Sequence, residues 1–274
     1  MKRIKIKKKI GKTKKNNNLL LYSCVILSIL LVFFMLLVLF NKQISKFKIV
    51  SRNNHVVEHK KTDTEEYETV GWIRVQGTDI DYPIINVLDY EYGHPVTGKS
   101  YSWLMNNTTK FKNRIDIAGH NILNLSVNPV RENDNYVYFE ELKNFVYPDF
   151  VKENQFIQLN IDGKDYLYQV FAVNIIPTYR INEYVKEYES AEIKEFLEYV
   201  KEESFYDFDL DVNENDNILS LHTCTRFYGV NGFFNFVVTG KLIENEKEVE
   251  LAEFKTTKYY DKILKIMNGG EVDE

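Results

Sequence analysis

The rhythm of hydrophobic and polar positions changes three times along this chain of 274 residues. Leu19 to Phe40, LLLYSCVILSILLVFFMLLVLF, is a run of 22 residues without a charge. As a helix rising ~1.5 Å per residue it would measure ~33 Å, close to the ~30 Å of a bilayer's hydrocarbon. A transmembrane helix is therefore expected over residues 19–40. A cleaved signal peptide has a shorter apolar core and a small-residue cleavage site, and neither is present. Residues 41–68 are polar and strongly charged and read as a stalk. From Val70 short alternating runs begin, and they continue to Ile243, so a folded domain is expected over residues 69–245 with a charged tail at 246–274.

Within that domain the alternation predicts strands at Gly71–Val75 and Ile80–Ile85, separated by a Gly77-Thr78 turn. Residues 86–113 read as loop, and Ile115 to His120 as a short strand ending in Gly-His. Val137 to Phe145 has short helical character. Asp162-Gly163 between two apolar runs, Phe156–Ile161 and Tyr166–Ile176, predicts a hairpin. Tyr184 to Ser204 predicts a helix, because Ile193, Phe196, Leu197 and Val200 recur at spacings of three and four. An acidic loop, Asp207 to Asp216, leads into a strand ending at Cys224, and Phe233 to Ile243 runs back out. Tyr259 to Met267 predicts a last short helix. Seven or eight strands without regular βαβ alternation favour a mostly-β barrel or sandwich with inserted helices.

Charge refines this organisation. Residues 1–18 hold nine Lys or Arg and no acid, so they are expected to stay in the cytoplasm and to place the C-terminal bulk outside. Residues 41–274 hold 26 Lys and Arg against 40 Asp and Glu, a balance of −14. Such a surface repels nucleic acid, which is not expected as a partner.

The candidate chemistry centres on a thiol. There are two cysteines, and Cys24 lies in the apolar run. Cys224 is then the one cysteine of the external domain, with no partner for a disulfide, and an unpaired exported thiol points to reactivity. A thiol nucleophile needs a base or cation nearby. His120 ends a strand after a glycine, and His222 stands two residues before Cys224, on the same strand face. His120, His222 and Cys224 could alternatively be three zinc ligands. Asp207, Asp209 and Asp211 resemble the start of a calcium loop, but Val212 and Ile218 replace the Gly and Glu such a loop requires. No metal or cofactor is expected.

Taken together, Gly71-Trp72-Ile73, Ile80-Asp81-Tyr82-Pro83-Ile84-Ile85, Gly119-His120-Asn121, Thr223-Cys224-Thr225 and Phe236-Val237-Val238-Thr239-Gly240-Lys241-Leu242 resemble the sortases, class B most closely. The resemblance implies a closed, eight-stranded antiparallel or mixed sortase β-barrel with inserted helices. It implies a membrane-anchored cysteine transpeptidase outside a Gram-positive cell. Its partners would be secreted proteins bearing a C-terminal sorting signal, cut after Thr, and an amine acceptor on peptidoglycan or a pilin. On this chain Cys224 would be the nucleophile and His120 the proton donor and acceptor. Thr223 and His222 would line the substrate groove, and the helix at 184–204 would wall it. The family places an arginine before the apolar run of the last strand, where this chain has Asn235. Asn235 or Arg226 is then the candidate oxyanion donor. The alternative is a sortase-like binding protein that has lost turnover.

Overall fold

The structure is a computed structural model. It describes residues 22, 25–32, 68–86, 102–105, 114–121, 139–184, 190–225, 227–228, 234–244 and 249–268. Residues 25–32 are helical and exposed, and they belong to a unit, Met1–Lys46, separate from the rest. Among the described residues no helix is long and apolar enough to cross a membrane. Most of the expected span, the basic head and the stalk lie outside the described residues.

Ten strands are described in the second unit: β1 Glu68–Val75, β2 Asp81–Asn86, β3 Ser102–Leu104, β4 Arg114–Ala118, β5 Phe156–Ile161, β6 Lys164–Pro177, β7 Tyr206–Phe208, β8 Ile218–Thr225, β9 Phe234–Leu242 and β10 Phe254–Thr256. A 3-10 helix, Phe139–Val146, and the helices α1 Pro148–Glu153, α2 Thr178–Tyr184, α3 Ser190–Glu202 and α4 Lys258–Met267 complete it. Eight strands follow one another in the order β1-β2-β3-β4-β8-β9-β6-β5, and β5 pairs back onto β1. The β2–β3 and β4–β8 pairs are parallel and the others antiparallel, so the sheet is mixed.

Alternation explains the two cores. In β8, Leu219 and Leu221 join Phe236 and Val238 of β9 in the larger apolar cluster, with Ile73, Ile84 and Ile117. The opposite face offers Ile218 and Val237 with Phe171 and Ile176, and these pack on Ile193, Phe196, Leu197 and Val200 of α3. The three-and-four spacing therefore marks the face that α3 buries. The β5–β6 hairpin turns on Asp162 and Gly163 at φ of 52° and 71°, the left-handed pair that a two-residue primed turn needs.

Three strands depart from the sequence expectation. β3 lies in the stretch read as loop. β7 arises within the acidic loop, and β10 within the tail, and these two pair with each other. Each is three residues long, too short for alternation to register. The expected helix at 184–204 is instead α3, preceded by the shorter α2. The tail is not a free appendage either. Gln155 Nε2 donates to the Ala252 carbonyl at 2.9 Å, its Oε1 accepts the Ala252 N–H at 2.8 Å, and Gln169 Nε2 donates to the Glu250 carbonyl at 2.9 Å. Ile263 of α4 is buried in the main core, and Tyr260 sits 5.8 Å from the ring of Tyr206. Truncating such a side chain removes about 2–4 kcal/mol. Ile263→Ala is therefore expected to lower the melting temperature by roughly 5 °C or more in a thermal melt, whereas a free tail would leave it unchanged.

Candidate active site

The site is built where β4 and β8 end side by side. Their parallel register pairs Asp116 with Ser220 and Ala118 with His222. Continuing it by two residues sets His120 opposite Cys224, on neighbouring strands ~4.8 Å apart. Three hydrogen bonds hold that arrangement past the last formal pair. The Gly119 N–H donates to the His222 carbonyl at 3.0 Å. Thr223 Oγ1 donates to the Gly119 carbonyl at 2.9 Å. Asn121 Nδ2 donates to the Cys224 carbonyl at 2.8 Å. The Gly-His-Asn strand end thus interlocks with the Thr-Cys strand end.

Cys224 is exposed, while every other residue of β8 is buried. Its sulfur is open to solvent on one side and backed by protein on the other. That backing desolvates the thiol and pushes its pKa above the usual value, and the ammonium of Lys143 pulls it back down. His120 is half-buried. Its carbonyl accepts the Phe139 N–H at 3.1 Å, which ties the 3-10 helix to the site. Gly119 is obligatory here for space, because a Cβ would land in the ring of Phe139.

Asn235 is the direct cross-strand partner of Cys224 on β9. Its Nδ2 donates to Thr178 Oγ1 at 2.9 Å, so one of its amide hydrogens is already held by the start of α2. Arg226 lies outside the described residues. His222 and Thr223, expected to line a groove, are each 1% exposed. The correction has a physical reason: Thr223 points into the β4 backbone, and His222 Nε2 faces Asp116 Oδ1 at 2.8 Å. These side chains brace the strand from within. The same contact holds His222 away from a three-ligand set with His120 and Cys224. Asp207, Asp209 and Asp211 are exposed, the first of them within β7.

Sequence reasoning missed the buried charges beneath the site. Asp116 Oδ1 also accepts Arg114 Nη2 at 2.5 Å, and the Arg114 guanidinium lies 3.5 Å over the ring of Phe196 on α3. Burial alone would raise the Asp116 carboxyl; Arg114 and the His222 hydrogen bond together hold it below the usual range. The signal was the polar Asp116 inside the apolar IDIA strand. Lys143 was missed because a lysine on an amphipathic helix ordinarily faces water.

An exposed thiol at the end of a β-strand, with a histidine in register on the neighbouring strand, defines a thiol-enzyme site on a curled, mixed sheet. The chain belongs to the sortase family, whose members are cysteine transpeptidases: the Sortase domain model matches residues 73–243. Among similar proteins, sortase B of Staphylococcus aureus is 24% identical over 204 residues, covering 69% of this chain and 78% of the relative. Sortase B of Listeria monocytogenes is 27% identical over 169 residues, covering 57% and 63%. The solved sortase B of Clostridium perfringens shares the fold, with a TM-score of 0.52 at 24% identity, covering 66% of this chain and 96% of that one. The expected family is therefore met.

The buried carboxylate makes an acid-stability prediction. A carboxyl held low in the native state contributes stability that is present above its unfolded value of about 3.9 and is lost as pH falls through the native value. Asp116→Ala strands Arg114 in the interior and is expected to cost about 3–5 kcal/mol at pH 7. Melting followed by circular dichroism should show this loss, and the gap to wild type should narrow as pH falls below about 4.

Proposed function

We propose that this protein cleaves the C-terminal sorting signal of secreted proteins after a threonine and joins the new carboxyl end to an amine of peptidoglycan or of a pilin subunit. The observation that carries the reading is the exposed Cys224 at the end of β8, interlocked with the Gly119-His120-Asn121 strand end by the Thr223–Gly119 and Asn121–Cys224 hydrogen bonds. The Cys224 thiolate attacks the threonyl carbonyl carbon. The tetrahedral intermediate collapses, the C–N bond breaks, and the leaving amine takes a proton from His120. A thioester on Cys224 remains. The acceptor amine then yields its proton to His120 and attacks the thioester, and Cys224 leaves as thiolate. The reaction conserves atoms and needs neither a redox partner nor a metal.

The same reading places the enzyme at the outer face of a Gram-positive membrane. It is supported by the uncharged run at 19–40 and the nine cations before it. A second reading, a sortase-like protein that binds sorting signals without cutting them, is favoured by Asn235, which replaces the family's arginine and has an amide hydrogen committed to Thr178. A single missing oxyanion donor typically costs 10²–10³ in rate.

Incubation of the full chain with a library of Thr-containing sorting peptides, followed by mass spectrometry of the intact protein, tests both. The expected outcome is an acyl adduct on Cys224 that disappears in Cys224→Ala. His120→Ala should slow its formation about 10²–10⁴-fold, and Asn235→Ala should slow it further only if that amide donates to the oxyanion. Peptide retained without any adduct would establish the binding protein instead.

A further inference from the structure

A pocket of about 600 Å³ opens at the same end of the sheet as the thiol, on the other face. Its place follows from the β8–β9 register. Cys224 pairs with Asn235, and the next pair outward is Thr225 with Phe234. Alternation turns Phe234 away from Asn235 and the thiol, and Phe234 lines the pocket. The rim is therefore one residue pair, ~3.4 Å of strand, beyond the nucleophile. Tyr228, from the loop after β8, sets its ring 5.0 Å from that of Phe234. Tyr179 of α2, Tyr199 of α3 and Tyr259 of α4 continue the aromatic wall. α4 lies beyond residue 243, where the match to the Sortase domain ends, so this wall is built by a part of the chain outside that match.

The same lining holds the charged side chains of Arg180, Lys262 and Glu203. Two cations against one anion leave the pocket net positive, whereas residues 41–274 together carry a balance of −14. Arg180 lies against the wall, its guanidinium carbon 4.6 Å over the ring of Tyr199. Lys262 is exposed on α4. Burial and the charge of Glu203 push the Tyr228 phenol up, so it keeps its proton and can donate. Such a cleft gathers anions at one spot of a surface that otherwise repels them.

We propose that this pocket binds a short peptide by its free carboxylate, and that the occupant is the peptide of the wall acceptor, whose amine then reaches the thioester at Cys224. This rests on the reading of the chain as a transpeptidase. It selects between the two acceptors that reading leaves open. A wall peptide carries its amine close to a free C-terminal carboxylate. A pilin lysine stands in mid-chain between neutral amides. Only the first uses the charges of Arg180 and Lys262. The aromatic rings give the peptide's methyl groups and amide planes an apolar seat. Glu203 and the Tyr228 hydroxyl offer an acceptor and a donor to its amides. The amine, on its own flexible side chain, rounds the strand end to the thiol.

The test is calorimetric titration of the full chain, in detergent micelles, with the tripeptide Lys-D-Ala-D-Ala and with its C-terminal amide. The free acid should bind roughly tenfold more tightly than the amide. Lys262→Gln changes an exposed side chain and should weaken the acid about three- to fivefold while leaving the amide as it was. Tyr179→Ala, also at an exposed position, should weaken both probes alike, which places the binding in this pocket. Equal affinity for acid and amide would overturn the proposal and favour a mid-chain lysine as acceptor. An acid preference untouched by Lys262→Gln and Tyr179→Ala would overturn it too, since the carboxylate would then sit elsewhere. The titration needs no thioester, so the two readings fail separately. A Cys224 adduct with sorting peptides but no preference for the acid refutes the pocket alone. Acid-selective binding without any adduct refutes turnover and keeps the pocket as a wall-peptide site.

Discussion

The parallel pairing of β4 with β8 is the constraint on which the site depends. Parallel strands bring like ends together, so both strands stop at the same edge of the sheet. One carries His120 past its end and the other carries Cys224. An antiparallel pairing of the same two segments would send the histidine to the far edge. The register is protected by side-chain bonds that cross between the strand ends, Thr223 to Gly119 and Asn121 to Cys224. A slip of one residue would turn Cys224 into the apolar core and bring Thr223 to the surface. Leu219 and Leu221 on one face and Ile218 on the other make that slip costly.

Beneath the reactive edge the interior is unusually charged. Arg114, Asp116 and His222 form a buried chain that joins β4, β8 and, through Phe196, α3. Buried ion pairs contribute little net stability, but breaking one is expensive. The chain therefore fixes which way β4 and β8 face more than it strengthens the fold. Lys143, also buried, belongs to the 3-10 helix that packs against β8 and β9. The strand end that carries the thiol is thus held by residues that never meet solvent.

Much of the architecture was legible before any coordinates. The Asp162-Gly163 hairpin, the face of α3, the last helix and the seven longer strands followed from periodicity and turn chemistry. The Cys224 and His120 pair could be singled out because one is the lone cysteine outside the apolar run and the other follows a glycine at a strand end. β3, β7 and β10 were not legible, because three residues carry no period. His222 and Thr223 were misjudged for a related reason. Alternation assigns a residue to a face, but it does not say whether that face is open or covered. For β8 the face with His222 is covered as far as that residue, and it opens at Cys224.

The amino-acid sequence by itself determined the local elements, the order of the reactive residues and the family to which the chain belongs, because periodicity, turn residues and short motifs are written in contiguous stretches. Only the tertiary structure decided that the tail packs onto the core, that His222 supports the strand from inside, and that Lys143 is buried. Those outcomes depend on contacts between segments about a hundred residues apart, Gln155 to Ala252 and Asp116 to His222 among them. Whether a charge is solvated or buried is settled by what the rest of the chain lays over it.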